Sequence, residues 1–402
     1  MPTNPANTTT LNPCIETRIS PRPSRSLGKA SLLSKLFIVL FVQLFLLILV
    51  SLIEQHGPVF VAYGYFGWDF HVFYVAASDL LHHVDPYLRG GLVTPPSSIL
   101  VGLALCWLPF KLAAVATLVL NLGLIYLSLV AVAREFRLSR LDELLLLGIA
   151  AGFYPVFVLV ERGNLDGLML ALLVFGFRTR NKLLRSVLLG ASMALKVYSG
   201  LLLLILLRRR SNWNVVLGAV AVCIALELPF LHLLPSFWGA VTMRSGFTRF
   251  PANISPAALL WLIAGGNLTS VWTHFYLVLW AGTLAYRLKK DWGHDISQSW
   301  PVYVPWMISF PETVYPYSGV LTLALLALIA GECQRRPTLR SEKRIVIGIA
   351  LLGFQASAWL SFLDPLGRDL RLLDGICALG TLLVLLGACA LPDFYGRQAS
   401  IS

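Results

Sequence analysis

Phe66-Gly67-Trp68-Asp69-Phe70-His71-Val72-Phe73-Tyr74, continuing through Asp85-Pro86-Tyr87 to Thr94-Pro95-Pro96, is the stretch around which the rest of this chain is arranged. It tolerates polar residues in a sequence that otherwise avoids them. Apolar runs of membrane length flank it, one at 34–53 and another from 97 onward. Its acids are Asp69, Asp79 and Asp85, and its only Lys or Arg is Arg89. Phe70, Phe73, Tyr74, Ala77, Leu80 and Leu81 recur at helical spacing, whereas His71, Ser78, Asp79 and His82 fall off that face. The spacing predicts an amphipathic helix lying along the outer surface of a membrane. Pro86, Gly90, Gly91, Pro95 and Pro96 are expected to end it and turn the chain back.

The 402 residues are 57% hydrophobic and 13% charged, where soluble domains carry about 25% charged residues. A chain this long with so little charge reads as an all-α polytopic membrane protein. The net charge of +12 does not point to nucleic acid, because Lys and Arg cluster in short runs between apolar segments. Such runs meet anionic headgroups on the inner side of a bilayer. The six cysteines form no Cys-x-x-Cys pair, so neither a disulfide framework nor a metal site is read from them. His71, His82 and His83 lack metal-ligand spacing and are read as surface residues.

Residues 1–33, rich in Pro, Ser, Thr and Arg, are expected to be a disordered cytoplasmic tail, as are 392–402. The membrane domain spans 34–391, with 54–96 as its outer loop. Basic residues before 34–53 put the N-terminus inside and Asp69 outside. Arg134, Arg137 and Arg140 are then inside, which makes 97–108 a short or re-entrant piece before Pro109. The run 141–160 returns outward as one helix and 161–166 forms a tight, charged outer loop. Segment 186–207 lies between two inner basic clusters, so one crossing cannot join them. Two half-length helices meeting near Lys196-Val197-Tyr198-Ser199-Gly200 are expected there. Segments at 213–234, 254–287, 300–311, 318–331, 345–363 and 372–391 complete about twelve, half-length ones included. Both termini are inside, in a plasma-membrane protein.

Asp69 stands where a helix N-cap would stand, and equally where a general base could sit at the membrane surface. Lys196 lies deep in an apolar segment, where an unpaired cation costs about 2.5–3.5 kcal/mol on insertion scales. It either snorkels to the interface or binds a lipid phosphate. Glu161, Arg162 and Asp166 are either plain loop charges or ligands, Arg162 for a phosphate and Asp166 for a sugar hydroxyl. Glu312, beside Tyr315 and Tyr317, belongs to an aromatic belt or to a sugar site. There is no Walker loop, no Gly-x-Gly-x-x-Gly and no Asp-x-Asp, so nothing in the sequence supports nucleotide binding.

Asp69, Tyr74, Ala76-Ala77, Leu80-Leu81, Asp85-Pro86-Tyr87, Pro95-Pro96 and Leu108-Pro109, in this order and spacing, resemble the first outer loop of glycosyltransferase family 87. Pro155 followed by Gly163-Asn164-Leu165-Asp166 is similar to the family's Pro and then Gly-Gln-x-Asn, and Gly190 followed by Lys196 is similar to its Gly and then Lys. The likeness covers 34–210 by residues and the remainder by hydropathy. It implies a C-type glycosyltransferase fold with its site on the outer face, a polyprenyl-phosphate sugar donor, and an inverting transfer of a hexose, in the first place mannose. The acceptor would be lipid- or glycan-linked, and no cofactor is implied; a divalent metal is left open.

In that reading Asp69 is the base. Lys196 and Arg162 hold the donor phosphate, and Asn164, Asp166, Glu312, Tyr317 and Tyr74 meet sugar or acceptor. Asn164 and Asp166 depart from the usual Gln and Asn, and 310–317 lacks the His that usually follows Ser-Pro and Trp. Two other classes fit the same features. A lipid or sugar transporter or flippase also has intramembrane cations and interrupted helices, and an inactive assembly subunit would keep the scaffold without the chemistry.

Overall fold

The computed structural model describes residues 67–89, 91–244, 256, 270–291, 299–309, 316–335, 379, 381–382 and 384–389. Among them the chain is helical throughout, with no strand. The tail 1–33, the apolar run 34–53, Glu312, and the helices expected at 345–363 and over most of 372–391 lie outside the described residues.

Helix α1, Trp68–Leu81, begins after Gly67, whose left-handed backbone (φ 78°) supplies the sharp entry. Asp69 is therefore not the N-cap; it lies one position inside, as the acid of the first turn. The helix also ends before the prolines. His83 takes a left-handed φ of 58°, and Val84 N–H reaches back to Asp79 O at 2.8 Å, closing the last turn. Phe70, Phe73 and Ala77 are buried as expected, but so are Ala76 and Asp79, whose carboxylate meets Arg89 at 3.0 Å. Leu81, expected inside, is exposed.

The short piece before Pro109 is a turn at Pro96–Ser98 and the five-residue α2, Ile99–Leu103. It is far too short to cross a bilayer at 1.5 Å per residue. α2 packs tightly on α1 because Gly102 has no side chain: a Cβ there would overlap the carbonyl oxygen of Phe73. Gly102→Ala is expected to cost about 1–3 kcal/mol as an overpacked contact, read as a lower thermal unfolding midpoint; an unchanged midpoint would show that the helices separate freely.

Helix α3, Phe110–Glu135, starts after Pro109, which lacks the N–H a preceding turn would need. α4, Arg140–Gly152, is capped by Ser139 Oγ accepting from Asp142 N–H. The single helix expected over 141–160 is broken. α5, Tyr154–Arg162, begins after an extended Phe153 (ψ 118°), with Pro155 in its first turn. α6, Asp166–Arg178, and α7, Lys182–Leu195, form a hairpin turned by Asn181, whose Oδ1 accepts from Leu183 and Leu184 N–H. α7 stops at Lys196, which is extended (φ −149°, ψ 112°); a turn at Val197–Gly200 and α8, Leu201–Leu207, follow. These are the two half-length pieces that the basic flanks predict.

α9, Trp213–Glu227, continues through a tight turn at Leu228–Leu233 into α10, Leu234–Arg244. α7 and α9 pack closely through small residues: a Cβ on Gly190 would strike Ala219 O, and Ser186 Oγ donates across to Val215 O at 3.1 Å. α11, Ser270–Lys290, α12, Val304–Ser309, and α13, Thr322–Arg335, follow, and the described residues 384–389 are helical as well. A buried pair, Arg287 Nε to Asp291 Oδ2 at 2.8 Å, closes the end of α11, with Tyr303 O–H donating to the same oxygen. Arg287 also donates to Ala388 O.

Two stretches among the described residues are long and apolar enough to cross a membrane, Phe110–Glu135 and Arg210–Met243. Their outward faces carry exposed Leu112, Val115, Val119, Leu217 and Ile224, as lipid contact requires. One core, running from Leu122 to Ala388, fills the centre of the bundle. A second, built on Phe73, Ala77, Ile99, Leu165 and Leu195, lies under α1 and carries it against the ends of α6 and α7.

Candidate active site

Four helix ends converge beneath α1. Asp69 is in the first turn of α1 and Asp166 opens α6. Arg162 is in the last turn of α5 and Lys196 follows the last turn of α7. Each acid thus sits at the positive end of its helix and each cation at the negative end, the arrangement a helix dipole favours by about 0.3–1 kcal/mol per charge. The turn from α5 to α6 makes this possible. Gly163 is left-handed (φ 68°), and a Cβ on it would come 2.8 Å from Phe70 Cβ. Gly163 and Asn164 N–H both return to Leu159 O. Where a charged outer loop is expected at 161–166, Arg162 ends α5 and residues 163–166 are buried, with Asn164 at 6% and Asp166 at 0% exposure.

The side chains form two tiers. In the outer one, Arg162 Nη1 lies 3.7 Å from Asp69 Oδ1, and both side chains are 21% exposed. In the inner one, Lys196 Nζ lies 2.8 Å from Asp166 Oδ1. Tyr198 O–H donates to the same oxygen at 3.1 Å and Ser318 Oγ to Asp166 Oδ2 at 3.0 Å. Asn164 joins the tiers: its Nδ2 donates to Asp69 Oδ2 at 2.9 Å, while its Oδ1 accepts from Lys196 Nζ at 3.0 Å and from Leu165 N–H at 2.7 Å. Asn164 and Asp166 both accept from the one Lys196 ammonium.

The structure brings together five of the residues singled out from the sequence: Asp69, Arg162, Asn164, Asp166 and Lys196. Tyr74 lies on the same helix as Asp69, but its hydroxyl donates to Leu108 O at 2.8 Å and its ring edges Phe110. It latches α1 to the turn before α3. Of Tyr317 only the backbone is described, in the turn Pro316–Leu321. Its neighbour Ser318 is the residue that reaches the site. Ser318, Tyr198 and Asn121, whose Nδ2 donates to Asn164 O at 3.0 Å, are additions that the sequence does not flag. Burial lowers the pKa of His71, which sits edge-on to Phe110, and so favours its neutral form. Among the described residues no three His, Cys, Asp or Glu side chains gather as metal ligands.

Chemically, the outer tier offers a reachable carboxylate beside a reachable guanidinium. That pairing suits the removal of a proton next to a developing negative charge. The inner tier is closed off and internally satisfied. A family model described as Glycosyltransferase family 87 matches residues 93–353, which contain Arg162, Asn164, Asp166 and Lys196 and begin downstream of Asp69. No curated protein matches the chain.

Proposed function

The chain belongs to glycosyltransferase family 87, and from that premise we propose that it moves a hexose from a polyprenyl-phosphate donor to a hydroxyl of a lipid- or glycan-linked acceptor. The observation that carries this reading is the outer tier: Asp69 and Arg162 at 3.7 Å, each 21% exposed, over a closed polar floor. Mannose is the first sugar to try. The reaction takes place at the outer face of the plasma membrane, with both termini inside, and no cofactor is assigned.

In the transfer, Asp69 takes the proton of the acceptor hydroxyl. The oxygen attacks the sugar's C1 from the face opposite the phosphate, the bond from C1 to the phosphate oxygen breaks, and its electron pair leaves with the phosphate. The configuration at C1 inverts. A single carboxylate suffices, where a hydrolase needs two. Negative charge grows on the departing phosphate, and Arg162 is the exposed cation placed to meet it. Of the two phosphate ligands read from the sequence, Lys196 and Arg162, this proposal keeps Arg162 as the direct one, because Lys196 Nζ is held by Asp166 and Asn164 beneath the surface. Lys196 then acts through those residues.

A lipid-phosphate donor also accounts for a sequence with no nucleotide-binding motif. Purified protein, offered labelled polyprenyl-phosphate hexose and labelled nucleotide hexose in separate reactions with a membrane-lipid acceptor extract, should turn over the first alone. Turnover of the nucleotide sugar alone would overthrow the donor assignment. Movement of unmodified lipid across vesicles, without transfer, would favour a flippase.

A further inference from the structure

Asn164 is the most constrained polar residue of the site. Its backbone N–H goes to Leu159 O, its carbonyl accepts from Asn121 Nδ2, and its side-chain oxygen accepts from Lys196 Nζ and Leu165 N–H. Those last two partners can only donate, so the side-chain oxygen must face them. The amide is thereby oriented without ambiguity, and its NH2 is left pointing at Asp69 Oδ2, 2.9 Å away. A donor so fixed favours the ionised form of the carboxylate it meets.

From this geometry we propose that Asn164 is a positioning residue, which couples the buried Lys196–Asp166 pair to Asp69 and keeps that carboxylate charged and aimed. The inference rests on the reading of Asp69 as the base. Lys196 sets the amide, the amide sets the carboxylate, and Asp166 with Tyr198 and Ser318 holds Lys196 in place. Among the described residues, the charged groups on the elements packed against Asp69 are as follows. α5 contributes Arg162, and α2 carries no ionisable residue. α3 carries the exposed Lys111 in its first turn, and burial favours the neutral form of His71 on α1 itself.

Asn164→Asp is the sharpest test. The new carboxylate keeps an acceptor for Lys196 and Leu165 N–H but sets a like charge against Asp69, which favours its protonated form. Two readouts follow it. One is the acid limb of kcat against pH. The other is coupling of Asp69 to a water-soluble carbodiimide, which reacts with the protonated carboxyl, followed by peptide mass on the purified full-length protein. Both midpoints should rise by about one unit or more, a tenfold or larger change in proton affinity, with donor KM within about twofold of wild type. Asn164→Ala, which removes the donor and adds no charge, should move both midpoints the same way by a smaller step and serves if the aspartate variant does not fold. Coupling midpoints that coincide with wild type in a folded variant overturn the proposal. If Asp69→Asn proves fully active, the base reading fails, yet the carbodiimide midpoint still reports whether Asn164 governs Asp69.

Discussion

Replacing Asp69 by asparagine is expected to lower kcat by about 10²–10⁴, the usual worth of a general base, with donor KM nearly unchanged. The substitution keeps shape and volume, and the amide oxygen of the new residue can still accept from Asn164 Nδ2, as Asp69 Oδ2 does. What it loses is the acid at the start of α1, worth about 0.3–1 kcal/mol to the helix. It also loses the attraction of Arg162, weak because both groups are partly in solvent. The fold should therefore survive while chemistry fails, and single-turnover transfer from bound donor measures the difference. Full transfer by this variant would send the search for a base elsewhere. Asp79 is tied to Arg89 and Asp166 is enclosed, so Glu161 and Glu312 would be next.

Lys196→Met should behave in the opposite way, failing in stability before chemistry. Asp166 is fully buried, and without Lys196 it keeps Tyr198 and Ser318 as donors but loses the cation that pairs with it among the described residues. Breaking a buried pair on one side typically costs about 3–5 kcal/mol, so a marked fall in thermal midpoint and yield is expected. Adding Asp166→Asn removes the stranded charge and should restore most of the midpoint. It should not restore turnover, because Asn164 Oδ1 still lacks the ammonium that orients it. Were Lys196 a direct phosphate contact instead, the single variant would be stable and show mainly a raised donor KM. A stable Lys196→Met protein with wild-type kcat would remove the inner tier from the account altogether.

The break at Lys196 is legible in the sequence because a cation in the middle of an apolar run, between two basic clusters, has no simple helical solution. The short piece before Pro109 is legible for a similar reason of parity. The break at Phe153 is hidden: hydropathy runs on through it, and Pro155 sits in the first turn of α5, where its missing N–H costs little. Asp79 falls on the polar side of α1 by periodicity, yet Arg89 returns from beyond the helix to cover it. Arg162 and Asp166 look like charges of a solvated loop along the chain, because their partners include Asp69, Lys196 and Ser318, none of them local. Asn164 carries no charge and no periodic signal, so its place between the tiers exists only in three dimensions.

The inner ion pair has a consequence for how the chain is made. Asp166 and Lys196 belong to consecutive helices joined by the tight turn at Asn181. They lie together at the open end of one antiparallel hairpin. A nascent chain can deliver that hairpin with Asp166 and Lys196 already paired to each other. Neither charge has to wait unpaired for a helix that the ribosome has yet to synthesise. Ser318, the late-arriving donor to Asp166 Oδ2, then acts as a latch that registers completion of assembly, long after the costliest residues have entered the bilayer.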